Sequence, residues 1–325
     1  MGIDENLLYN LRIYNSPKFH LIIDGNHSVL VPEMEALFRY YGFSYEIIRG
    51  TDRRDVSFEG KQPEPNKQNM KRLIDKVRNT KIKGKTVFGT ASDPDGDRFF
   101  VSTQNGEYIT PNEIGLIVLD NSLQNILNQM KLDLQAGTLT IEKIKSYQGT
   151  ILKSHVTSAE IELLAQYYSR LFMEIAFGKD NVNLRTDERT NYVNAYNKGT
   201  FIPFAVESYP VGWKNLSGRQ KQLESEGKRV IMSLESSGGL SLGLYDKDGG
   251  LATVLPFLIA AINGKDFDSM LSEIHKKAGL KSVFKETSVD NLTEEEKASF
   301  LSWINEFANY ANVNEETKQV YRSTI

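Results

Sequence analysis

Apolar residues recur along this chain with two alternating periods. Phe19, His20, Leu21, Ile22 and Ile23 form a short, mostly apolar run closed by Asp24 and Gly25, the pattern of a buried strand. Val31, Met34, Leu37, Phe38 and Tyr41 then fall three and four apart on one helical face, and Gly42 stands where a helix end favours a left-handed residue. Residues 45–48 read as a second strand. Residues 49–69, which include Pro63 and Pro65, lose both periods and predict a surface loop. Helical spacing returns with Met70, Leu73, Ile74 and Val77, and a strand follows over residues 86–91. Asn105 and Gly106 between residues 99–103 and 107–109 mark a hairpin, because both positions tolerate positive φ. A helix opening at Asn112 or Glu113 carries Ile114, Ile117 and Val118, after which residues 124–139 grade into a connection.

The alternation then repeats. A strand is expected near residues 150–153, a helix from about Ala159, strands at 201–207 and 229–234, and a helix after Asp248. Residues 172–200 lack periodicity and read as an insertion of no predictable form. Near the end, Thr293 and Glu296 match a capping box, and Phe300, Leu301, Ile304, Phe307 and Ala308 continue at helical spacing. Strands alternating with helices imply parallel sheets covered on both faces. The expected class is therefore α/β: two tandem three-layer α/β/α domains with a helical C-terminal tail. The expected divisions are an N-terminal lead over 1–17, domains over 18–135 and 136–280, and the tail over 281–325.

Composition narrows the function classes. A net charge of −3 over 325 residues supplies no basic field for nucleic acid or anionic lipid, so neither partner is expected. The longest apolar stretch, residues 251–262, is interrupted by Thr253 and Pro256 and falls short of a bilayer span, which predicts a buried helix and no membrane role. The absence of cysteine leaves oxygen or imidazole as metal ligands, and, with no apolar stretch in the polar start, predicts a cytoplasmic protein. The four histidines show no paired ligand spacing, which argues against zinc.

The most informative residues are Asp93, Pro94, Asp95, Gly96, Asp97 and Arg98, between a predicted strand and the hairpin. Three alternating carboxylates at a strand end, with Gly96 permitting a tight turn, can converge on a hard divalent cation, and oxygen donors select Mg²⁺ over softer metals. A solvated acidic turn is the competing reading. An EF-hand is excluded, since its sixth and twelfth positions need Gly and Glu and are here Arg98 and Gln104.

Residues 90–98 resemble the metal-binding loop of the α-D-phosphohexomutases, the family of phosphoglucomutase and phosphomannomutase. Residues 234–239, with Glu235 and Ser237, resemble that family's sugar loop, and residues 209–214 its preceding loop, which ends in a lysine. Residues 246–249 resemble the continuation after the sugar loop, although Asp248 also suits an ordinary N-cap. Lys153, Ser154, Thr157 and Ser158 resemble the opening of the family's third domain, and residues 24–27, with a structural His27, the opening of its second. The resemblance implies Asp93, Asp95 and Asp97 as Mg²⁺ ligands and Arg98 as support for phosphate near the reacting centre. It implies Glu235 and Ser237 as hexose-hydroxyl ligands, and Lys214 as a phosphate-binding or proton-transferring residue. Pro94 and Ser236 depart from the usual pattern, the second bearing on sugar preference.

The family's phosphoserine and its C-terminal phosphate-gripping loop have no counterpart found in these residues. The expectation is thus a truncated or split phosphohexomutase that binds Mg²⁺ and a hexose phosphate, is inactive alone, and takes the missing domains from another chain. The parent reaction moves phosphate between C1 and C6. A non-catalytic sugar-phosphate or Mg²⁺ module, with the terminal helix as partner surface, is the alternative.

Overall fold

Parallel pairing around one central strand organises each of two sheets. In the computed structural model, which describes residues 5–279 except 51–54, 56, 61–62, 244–246 and 248, together with 293–296, 298–299 and 302, residues 1–279 form one compact unit and 280–325 a second. After α1 (Glu5–Asn10), the chain runs through β1 (Phe19–Asp24), α2 (Val31–Tyr40), β2 (Ser44–Ile48), α3 (Lys71–Asn79), β3 (Thr86–Ser92), β4 (Phe99–Ser102) and β5 (Tyr108–Ile109). The sheet order is β2-β1-β3-β4-β5; β1 pairs in parallel with both β2 and β3, and the last two strands turn back antiparallel. Gly106 adopts φ 71° at the predicted hairpin.

Next come α4 (Pro111–Gln135), α5 (Ile141–Ser146), β6 (Gly149–Ser154), α6 (Glu160–Phe177), α7 (Thr186–Asn197), β7 (Phe204–Tyr209), α8 (Trp213–Ser225), β8 (Val230–Leu234), β9 (Leu240–Ser241), α9 (Gly249–Asn263) and α10 (Phe267–Ala278). The second sheet has the order β7-β6-β8-β9, with β6 parallel to β7 and β8.

Strands β1, β3, β4, β6 and β8 are buried on both faces, so alternate side chains feed different cores. Ile22, Val87, Ala91 and Phe100 meet Leu73, Ile74 and Val77 of α3, whereas Leu21, Ile23, Phe88 and Phe99 join the main core on the opposite face. There Phe257 of α9 packs its ring against Phe38 of α2 and Phe88 of β3, at centroid distances of 5.9 and 5.7 Å. In the second sheet Leu152 and Val230 meet Leu216 and Leu223 of α8, while Ile151, Met232 and Leu234 join the same main core as α4 and α6. A helical layer containing α2, α4, α6, α9 and α10 is therefore shared between the two sheets. Gly115 lets α4 approach β8 closely, since a Cβ there would stand 2.2 Å from Leu234 Cδ2.

Several segments differ from the sequence reading. Residues 124–139, expected as a connection, are helical to Gln135, because Ile126, Leu127 and Met130 continue the buried stripe of α4. Its N-terminus is a capping box between Thr110 and Glu113. The aperiodic stretch 172–200 contains the end of α6 and the whole of α7; α7 buries no residue, so no apolar period marks it. The strand expected from residue 201 begins at Phe204, directly after Pro203, which has no N–H for a ladder. Helix α8 went unread because its buried face is Leu216, Gln220 and Leu223, too sparse a pattern among mostly polar and charged neighbours to register. Leu37, placed on the buried face of α2, is 40% exposed.

Of the second unit, Thr293 and Glu296 make the expected reciprocal cap, with the Thr293 amide donating to the Glu296 carboxylate at 2.8 Å. The apolar positions read beyond it, Phe300 to Ala308, lie outside the described residues. Among the described residues no single helix is long and apolar enough to cross a membrane.

Phe257→Ala should lower stability by about 3–5 kcal/mol, as for other buried aromatic truncations, because its ring closes the contact between α9 and the first sheet. Urea denaturation of the full chain measures this; a loss below about 1 kcal/mol would mean that α9 does not carry that core.

Candidate functional site

Both loops singled out in the sequence emerge where open α/β sheets conventionally bind ligands. The chain leaves β1 toward β2 on one side and β3 pairs on the other, so the crevice beyond Asp24 and Ser92 is a topological switch point. The acidic loop follows Ser92 directly. In the second sheet β6 has the same central position, and residues 235–239 leave β8 beside the loop that leaves β6.

The acidic loop is braced from the β1–α2 turn. The Asn26 side chain donates to the carbonyls of Ser92 and Pro63 at 3.1 and 2.8 Å, Ser92 Oγ donates to Ser28 Oγ at 2.7 Å, and the Val29 amide donates to the Pro94 carbonyl at 2.9 Å. Gly96 turns the chain with φ 78°, and a Cβ there would collide with the Leu30 side chain at 2.4 Å. Glycine is required at this position on both counts.

Within this frame Asp93, Asp95 and Asp97 each offer a carboxylate oxygen, and the three lie within 4.8 Å of one another. Asp93 is buried, Asp95 is exposed and Asp97 is intermediate. Asp93 Oδ1 accepts from the Arg98 amide at 2.9 Å. Arg98 Nε lies 3.0 Å from Asp93 Oδ2 and 3.4 Å from Asp97 Oδ1, near enough for charge attraction. Neither of those buried oxygens receives a hydrogen bond. Buried acceptors without donors are costly unless something else satisfies them. An octahedral Mg²⁺, with oxygens at roughly 2.0–2.1 Å and hence about 3–4 Å apart, would need only a slight closing of this cluster. The donor set and the orphaned oxygens fit a hard cation.

The electrostatics reflect a crowded cluster that two cations compensate in part. Burial pushes the Asp93 carboxyl up to about 6; the Arg98 amide opposes the shift, and the charges of Asp97 and Asp95 add to it. Burial also acts to raise Asp97, but the Lys247 ammonium, bonded to Asp97 Oδ2 at 2.8 Å, outweighs it and holds this carboxyl below the usual range. Arg98 further pairs with Glu64, from the loop before α3.

Glu235 is 4% exposed and held by its neighbours: Oε1 accepts from the Gly212 amide at 2.7 Å and Oε2 from the exposed Ser237 hydroxyl at 3.1 Å. Gly238, at φ 103°, brings this loop against Arg98, whose Cγ would lie 3.7 Å from a Cβ at that position. The two loops thus approach each other closely. The acidic loop is also tied to α9, where the opening Gly249 amide donates to the Gly96 carbonyl at 3.1 Å; a Cβ on Gly249 would stand 2.4 Å from that oxygen.

The fold brings Asp93, Asp95, Asp97, Arg98, Glu235 and Ser237 into one neighbourhood. Lys214 is exposed in the first turn of α8, and no hydrogen bond or ion pair among the described residues joins it to them. Lys153 is buried, with its ammonium on the carbonyls of Thr157 and Ser158 and on Glu162, and so braces the loop after β6. The expected structural role of His27 agrees with its positive φ of 61°, its Nδ1 accepting from the Asp55 amide at 3.1 Å, and its edge contact with Phe58. Asp246 and Asp248 lie outside the described residues. Sequence reasoning passed over Glu64, Lys247 and Gly249 as site residues. The signal for Lys247 was its place in the loop before the apolar helix; Glu64 carried none.

Comparison with known proteins bears on this arrangement. Residues 5–106 match the model for the phosphoglucomutase/phosphomannomutase α/β/α domain II. Over 102 residues the chain is 28% identical to the phosphoglucosamine mutase of Methanocaldococcus jannaschii, a match that covers 31% of this chain and 22% of that protein. A solved structure from Thermus thermophilus, assigned as a phosphomannomutase, superposes with a TM-score of 0.58 at 18% identity over 87% of this chain and 50% of its own. The Paramecium phosphoglucomutase parafusin gives 0.51 at 19% identity over 85% and 40%. The chain thus spans about half the length, or less, of the proteins it matches. Residues 5–106 therefore resemble the phosphoglucomutase/phosphomannomutase α/β/α domain II, and the chain as a whole has a phosphohexomutase-like fold.

Proposed function

We propose that this chain binds Mg²⁺ through Asp93, Asp95 and Asp97 and a hexose phosphate across the acidic and sugar loops, as part of a phosphohexomutase site. The observation that carries this reading is the close approach of the two loops at Arg98 and Gly238, which sets the loop with three clustered carboxylates against the loop that carries Glu235. Mg²⁺ at that cluster would neutralise charge on a phosphoryl group in transfer.

The chain's own residues divide the remaining tasks. Glu235 already accepts two hydrogen bonds, and a carboxylate has about four acceptor sites, so lone pairs remain for sugar hydroxyls. Ser237 stands exposed with a hydroxyl that can turn from Glu235 to a ligand. Arg98 presents a planar fork suited to phosphate oxygens, steered by Glu64 and Asp93. Lys214, exposed on α8, takes the phosphate-binding or proton-transferring role that the family resemblance implies. In the parent reaction phosphate moves between C1 and C6 of the hexose. None of the residues assigned here carries the phosphoryl group covalently, so the chain assayed by itself is expected to bind without turning over.

Three measurements test the reading. Asp95→Asn, at an exposed position that folding does not need, should weaken Mg²⁺ binding by about tenfold or more in calorimetric titration; equal affinities would remove the carboxylates from that role. Because the Asp93 carboxyl is raised in the metal-free protein, its contribution to stability is complete in acid and is lost as pH rises through about 6, where it becomes charged. A cation relieves that charge, so the increase in melting temperature on adding Mg²⁺ should be larger at pH 8 than at pH 5. An increase independent of pH would contradict this. Finally, glucose 1-phosphate should bind without mutase turnover in the presence of glucose 1,6-bisphosphate, and Glu235→Gln should weaken that binding about tenfold. Robust turnover, or unchanged binding in the variant, counts against the assignment.

A further inference from the structure

Lys247 reaches the acidic loop from a distant part of the chain and bonds Asp97 Oδ2 at 2.8 Å, with its side chain only 16% exposed. Its stem lies along the sugar loop: a Cβ on Gly239 would stand 3.2 Å from Lys247 Cε. Two residues later the Gly249 amide is pinned to the Gly96 carbonyl, inside the acidic loop itself. The ammonium thus meets Asp97 two residues before a pinned amide, and it adds positive charge to a cluster of three carboxylates that Arg98 also faces. Arg98 cannot replace it, because its fork is engaged by Glu64 as well as Asp93.

We propose that Lys247 is a resident counter-ion of the acidic loop that a divalent cation displaces, so that metal entry releases the ammonium beside Gly239 to meet an anionic ligand on the sugar loop. The inference rests on the Mg²⁺ reading above and adds an exchange to it. An ammonium and a divalent cation on one carboxylate repel, and a lysine stem can swing where an Arg98 fork held on two carboxylates cannot. Lys247 is a positioning residue in this scheme. It links two sites: cation binding liberates a charge for the sugar phosphate, and by reciprocity the sugar phosphate favours cation binding.

Lys247→Met keeps most of the stem on Gly239 and removes the charge. In calorimetric titrations of the full chain with MgCl₂, it should bind Mg²⁺ about fivefold more tightly than wild type, and Mg²⁺ should no longer strengthen glucose 1-phosphate binding. Lys247→Arg should retain wild-type Mg²⁺ affinity. A second measurement needs no variant: amine labelling of Lys247 in wild type, read by peptide mass spectrometry, should rise severalfold when MgCl₂ is added. Wild-type Mg²⁺ binding with equal or weaker affinity in Lys247→Met, or labelling that Mg²⁺ leaves unchanged or reduces, overturns the exchange while leaving the metal site standing. Absence of Mg²⁺ binding by both proteins overturns the metal site, and the exchange with it.

Discussion

Carboxylates held close together repel, and in this protein three of them are held within 4.8 Å at the mouth of a crevice. The rest of the site can be understood as the means of keeping them there. Asn26, Ser28 and Val29 tether the loop from one side, Arg98 places its guanidinium among the acids, and Lys247 and Gly249 close it from α9. Burial of Asp93 makes the repulsion more costly than in water, which is why its carboxyl is driven up to about 6. A loop that served only to turn the chain would gain nothing from this arrangement, whereas a cation would turn the repulsion into attraction.

The same logic explains why two sheets share one layer of helices. Helix α9 follows the second sheet in the chain, yet its Phe257 packs on Phe38 and Phe88 at the first. That crossing carries Gly249 to the acidic loop and Lys247 to Asp97. Apolar packing thus sets the distance between the acidic loop and the loop around Glu235. The hydrogen bond from Gly249 to Gly96 and the close approach of Arg98 to Gly238 then hold that distance.

How much of this could be read from the residues differs by kind of interaction. The strands and helices of the first half, the hairpin at Gly106 and the capping box at Thr293 were legible, because each depends on neighbours a few positions away. The extended α4 and the exposed α7 were not, the first because its later stripe looked like a fading pattern, the second because it buries nothing. The acidic loop announced itself by composition. Its partners did not, since Glu64 and Lys247 are ordinary charged residues until the fold sets them against Arg98 and Asp97.

By itself, then, the sequence determined the two alternating α/β halves, the spacing of Asp93, Asp95 and Asp97, and the loop around Glu235. Those are local properties, written in periods of two and of three to four and in the turn preferences of glycine and proline. Only the tertiary structure decided that the loops approach each other, that Glu235 is buried and already bonded, that Lys214 is exposed, and that Lys247 occupies Asp97. Such facts depend on which faces of distant helices pack together. A charge gains its meaning from what that packing brings within a few ångströms of it.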